Sequence, residues 1–190
     1  MVDSAVTIIV VIIFVMMLLM LVVYAVGYHT IGPNKAMVLF RGSGKKDGSP
    51  HAIIQGGGKF IIPGGESISV LDMEANLVEF DLSGVPTASE GYTVTLRLRV
   101  VAIWKIIGER GFLEISAGKL MDRTRGENEM AVKEQLEKAI RNFSAGITPE
   151  AFEADMELVR AKAQMHANVA LVDQGLQVLT LHFLKIRPQG

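Results

Sequence analysis

The chain has 190 residues, a formal net charge of −1 and no cysteine. A near-neutral balance leaves no basic footprint for DNA or RNA, and the lack of cysteine excludes disulfides, thiolate metal ligands and thiol nucleophiles. The positive mean hydropathy of +0.34 is inflated by one stretch at the N-terminus.

That stretch is residues 5–26 (AVTIIVVIIFVMMLLMLVVYAV), which contain no charge, no proline and no glycine. A helix of this length rises ~33 Å and matches a hydrocarbon core of about 30 Å, so the spacing predicts one membrane crossing. Ile9, Ile13, Met17, Leu21 and Tyr24 are expected to mark successive depths of the span. The β-branched run at residues 8–13 has poor helix propensity in water, but lipid offers the backbone no partner except itself and enforces the helix. A cleaved signal peptide would need a basic start and a shorter apolar core. A buried core helix would need a polar face to turn outward. Lys35, Arg41, Lys45 and Lys46 follow the span while no basic side chain precedes it, which places the rest of the chain on the cytoplasmic side.

Residues 27–190 suffice for one domain with its own core. Tyr24 and Tyr28 are placed as interfacial aromatics, and Gly32 with Pro33 is expected to stop the helix. A first strand is predicted at residues 35–41, a polar hairpin loop at 42–50 with Lys45 and Lys46 at its tip, and a second strand within 51–62. The triplet Gly56-Gly57-Gly58 invites a phosphate-loop reading. That motif needs a closing Gly-Lys-Ser/Thr and an immediate helix, so the glycines, with Pro63 after them, read as a turn and a bulge using positive φ. Short strands are predicted at 67–72 and 77–82. Residues 92–104 alternate most clearly, with Val94, Leu96, Leu98, Val100, Ala102 and Trp104 on one face and Thr93, Thr95, Arg97 and Arg99 on the other.

The period then becomes helical. A short amphipathic helix is predicted at 109–117, and a longer one at 128–145 with Val132, Leu136, Ala139, Ile140 and Phe143 on one stripe. A third helix begins with Thr148 as N-cap and Pro149 in the first position. It runs to about residue 174 with Phe152, Met156, Val159, Ala163, Ala167 and Ala170 inward, and Gly175 suits the left-handed position beyond its end. A last strand covers 176–186.

Convergent chemistry is not found. His29, His51, His166 and His182 fall in four different elements without metal-ligand spacing, and no nucleophile-elbow sequence occurs. Neither a catalytic residue nor a metal or cofactor is expected. The residues alone describe a single-pass anchor carrying a mixed domain of strands and helices.

The order of features resembles the SPFH or band 7 superfamily, and within it the flotillin branch. The resemblance is carried by residues 32–39 (GPNKAMVL), 56–63 (GGGKFIIP), 67–72, 91–101, 138–141 (KAIR), 146–150 (GITPE) and 175–179 (GLQVL). It implies an α+β fold in which a single N-terminal transmembrane helix (1–28) precedes an SPFH-type domain (29–187) and a short tail (188–190). That domain is expected to have a mainly antiparallel sheet and three packed helices. The resemblance also implies self-association, contact with membrane lipids and scaffolding of membrane microdomains, often beside a membrane protease, with no enzymatic activity. Family members usually continue into an Ala/Glu-rich coiled coil, for which no sequence follows Gly190. They usually carry an acidic-Arg pair after the Thr-Pro-Glu start, where this chain reads Glu153-Ala154-Asp155-Met156. Both departures bear on the mode of assembly, since helical ribs would normally add much of the contact area. An alternative reading makes the chain an accessory or regulatory subunit of a membrane protease or enzyme, with Lys59, Arg97 or Arg99 binding an anionic ligand or partner.

Overall fold

A computed structural model describes residues 2–41, 52–61, 66–87, 94–121 and 123–189. The loop carrying Lys45 and Lys46 and the position of Pro63 lie outside the described residues. The chain divides into two compact units, Met1–Val70 and Leu71–Gly190.

In the first unit, helix α1 (Val2–Gly27) runs without a linker into strand β1 (Tyr28–Arg41). The predicted stop at Gly32 and Pro33 is too late by five residues. Pairing ends the helix earlier, because Tyr28, His29, Thr30 and Ile31 take Phe60, Lys59, Gly58 and Gly57 of β2 (Ala52–Phe60) as antiparallel partners. Beyond Ile31 the register jumps to Ala36, opposite Gln55, so the segment with Gly32 and Pro33 bows out as a wide irregularity. Gly56 and Gly57 face it with φ of 63° and 84°, a left-handed backbone that side chains with a Cβ rarely adopt. They therefore lie within a strand, where they absorb the bulge, rather than at a chain reversal. With β3 (Glu66–Asp72) the sheet order is β2-β1-β3. Met37, Leu39 and Ile61 form its core, with Ile31, Ala52, Ile54 and Ile68 packed around them.

The second unit holds the sheet β4-β5-β6, made of β4 (Asn76–Thr87), β5 (Val94–Ile106) and β6 (Leu176–Gln189), with antiparallel neighbours. The alternation of β5 puts Leu96, Leu98, Val100, Ala102 and Trp104 into the core and leaves Arg97 and Arg99 exposed. β6 continues past residue 186 through Arg187 and Pro188 to Gln189, because β5 extends far enough to pair with it at Thr95. Four helices accompany the sheet: α2 (Arg110–Leu120), α3 (Arg125–Ser144), α4 (Pro149–Ala154) and α5 (Met156–Val172).

The third predicted helix is thus two. Asp155 leaves the helical region (φ −147°, ψ 79°), and its carboxylate accepts from Leu158 N at 3.0 Å, so a new N-terminus forms in mid-segment. The restart changes the phase of the apolar stripe. Phe152, Val159, Ala163 and Ala167 are buried, whereas Met156 is 47% exposed. Thr148 Oγ1 accepts from Ala151 N at 3.3 Å, with Pro149 in the first turn. At the other end of α5, Gly175 has φ 73°, and a Cβ there would meet Phe112 O and Ser116 Oγ. That close approach lets the Ser116 hydroxyl donate to the Gln174 and Gly175 carbonyls while Lys119 Nζ donates to Asp173 O at 2.7 Å. The carbonyls of the turn after α5 are thus satisfied from α2, while Gln174 N and Gly175 N close back on the Leu171 and Val172 carbonyls of the last helical turn.

Both edges of this sheet are guarded by helix side chains. Asn168 accepts from Val178 N at 2.6 Å and donates to Val178 O, and Gln164 donates to Leu179 O at 2.9 Å. On β4, Arg141 donates to Ser83 O at 3.1 Å beside the register shift at 82/85. Polar side chains thus occupy backbone groups that would otherwise invite a foreign strand.

Candidate membrane-interface site

The feature that organises a site is the junction of α1 with β2. A 22-residue segment of α1, Val6–Gly27, is long and apolar enough to cross a membrane, and every side chain from Val6 to Val26 is exposed within the chain. Ile9, Ile13, Met17, Leu21 and Tyr24 are all between 56% and 67% exposed. In water that exposure would be strongly unfavourable, at roughly 25 cal/mol per Å² of apolar surface. A helix that is apolar on every side needs an apolar surrounding.

At its C-terminal end the helix meets the end of β2. Gly27 O accepts a hydrogen bond from Ile61 N at 2.8 Å, which satisfies a carbonyl left orphaned by the helix terminus. Gly27 is buried, and a Cβ there would come within 2.6 Å of Phe60 Cε2 and 2.9 Å of Ile61 O. Only glycine admits the strand at this distance. Gly58 plays a matching part, since a Cβ on it would overlap the ring of Tyr28. Its value is space, whereas that of Gly56 and Gly57 is backbone conformation.

The two glycines let three rings gather. Tyr24 stacks on Tyr28 with centroids 5.5 Å apart, and on Phe60 at 5.9 Å. Tyr and Trp collect at membrane–water interfaces because one end of the ring system is apolar and the other polar. Tyr24 and Tyr28 were evident in the sequence as such a pair. Phe60 was not, and its only signal was an aromatic residue set between Lys59, at the end of the glycine run, and two isoleucines.

The basic residues considered for an anion site are divided between the two units. Lys59 belongs to β2 of the first unit, while Arg97 and Arg99 lie on the exposed face of β5 in the second. Arg99 is engaged by Glu79 on the neighbouring strand, Nε to Oε1 at 2.5 Å, with Asp81 as its register partner. These carboxylates hold the guanidinium pKa above its already high ordinary value. Among the described residues no group of three or more His, Asp or Glu is arranged to hold a metal ion.

A second exposed apolar feature runs along α5. Leu158, Met165 and Val169 are 50%, 68% and 72% exposed and share one helix face, beside the buried stripe of Val159, Ala163, Ala167 and Leu171.

Residues 29–189 match a protein-family model, that of the SPFH domain / Band 7 family. Comparison with curated proteins finds no match.

Proposed function

The chain belongs to the SPFH domain / Band 7 family, and from that premise we propose that it is a membrane-anchored scaffold of the flotillin type. On this reading it self-associates and organises membrane microdomains or partner membrane proteins. Members of the family are generally membrane-associated, non-enzymatic scaffolds. The observation that carries the reading is α1, an apolar helix with no buried side in its own chain, joined without a linker to a domain of this family.

Self-association has support in the exposed stripe of Leu158, Met165 and Val169, which suits a second copy of the same domain. Lys35, exposed beyond the span, and Arg41 support a cytoplasmic position for the domain, since basic residues flanking a span are retained on that side. The test is to extract the full chain from cell membranes into nanodiscs and measure its mass. Large homo-oligomers, or capture of a membrane protein, are expected, and protease added outside intact cells beforehand should leave the domain intact. A strictly monomeric chain at micromolar concentration with no associated membrane component would overturn the scaffold reading.

A further inference from the structure

We propose that the groove between α1 and Phe60 is a binding site for one acyl chain of a membrane phospholipid. The proposal rests on the reading of α1 as a membrane span. The groove has a volume of about 420 Å³ and is lined by Met16, Leu19, Met20, Val23, Tyr24 and Phe60. That volume falls within the range of about 300 to 1,000 Å³ seen for small-molecule sites.

The five helix residues sit at positions i, i+3, i+4, i+7 and i+8, which is one face of one helix. From Met16 to Tyr24 they cover ~12 Å along its axis. An apolar groove along one helix face fits a hydrocarbon chain lying parallel to the helix. Phe60 supplies the wall that a lone helix lacks. It reaches the groove because Gly27 admits the end of β2 and because Tyr24 receives its ring.

The lining chemistry separates two occupants. Two membrane helices approach most closely through faces of small residues, whereas this face presents Met, Leu, Val, Tyr and Phe and no small residue. A flexible chain makes no such demand. Met16 and Met20, unbranched and 62% and 76% exposed, can adapt to its kinks. At the strand end Tyr24 lines the groove and stacks on Tyr28, and tyrosine hydroxyls suit the ester and phosphate level.

The test uses the full chain in phosphatidylcholine nanodiscs containing a trace of phosphatidylcholine with a diazirine on one acyl chain. After illumination, adducts are mapped by peptide mass spectrometry. Several-fold more label on Met16, Met20 and Phe60 than on Met17 and Leu21 of the same helix is expected. Phe60→Ala should remove that bias, and so should Met20→Trp, which fills the groove without altering the hairpin. Equal labelling of both faces would overturn the proposal while leaving the anchor intact. So would helix-to-helix crosslinks through Met20→Cys that exclude lipid adducts. A chain that fails to float with liposomes would remove the membrane reading itself, an outcome distinct from uniform labelling.

Discussion

Ile13 and Ile140 are the same side chain in the same secondary structure, yet Ile13 is 62% exposed and Ile140 is 1% exposed. In α3 Val132, Leu136, Ala139, Ile140 and Phe143 form one buried stripe, and α5 together with β4 supplies the complementary surface. In α1 no stripe exists, because every position from Ile8 to Val26 carries an apolar or aromatic side chain. An amphipathic helix carries its fold's instructions in the contrast between its faces. A uniformly apolar one passes that task to its surroundings, and on the proposed reading those surroundings are lipid.

The comparison breaks most sharply at a large core residue. Phe152 is fully buried and meets Phe183 edge-on at 6.0 Å. Phe152→Ala should lower the stability of the second unit by about 3 to 5 kcal/mol, read as a fall in the melting transition of the nanodisc-bound chain, while membrane retention stays as it was. Equal melting of variant and parent would contradict the core as described. Ile13→Arg should do the reverse. A central arginine costs about 2.5 to 3.5 kcal/mol of insertion free energy, so the membrane-bound fraction should drop in flotation while the second unit melts unchanged. Loss of both together would mean that the two regions depend on each other for folding.

The smallest effect sharpens the contrast by pH. At the start of α3, Thr124 and Glu127 form a reciprocal capping box. Hydrogen bonds from Thr124 to its carboxylate, backbone first and then side chain, hold Glu127 below its ordinary pKa. A carboxyl group with a depressed folded-state pKa stabilises fully above its unfolded value, and the contribution is lost as pH falls through the folded value. Acidification below the usual glutamate range should therefore weaken the second unit slightly. Glu127→Gln should flatten that part of the profile, and an unchanged acid limb in the variant would sink the assignment.

What could be read from the sequence was what depends on near neighbours. The alternation of β5 and the stripe of α3 each fit one period, and burial follows it residue by residue. The break at Asp155 was hidden because Ala154, Asp155 and Met156 sit inside a pattern that tolerates helix. Only the observed cap on Leu158 shows the carboxylate turned back on the backbone. The start of β1 at Tyr28 was illegible for a different reason. Residues 28–31 are strand because β2 pairs with them, and that partner lies some thirty positions away in the chain. The same holds for the site. Tyr24 and Tyr28 follow from position relative to the span, but the part played by Phe60, and the need for glycine at 27 and 58, are properties of two segments meeting.

The hydrogen bond from Ile61 N to Gly27 O has a mechanical meaning. A helix that hands its chain to a strand through a hinge is free to swivel, but here the last carbonyl of α1 is pinned to β2 in the very turn where β1 begins. Adding one residue ahead of Gly27 would turn the upstream helix by ~100° relative to that pin. The azimuth of α1 is therefore tied to the end of β2 by this hydrogen bond and by the Tyr24–Phe60 stack, so a rotation of the helix has to strain both contacts.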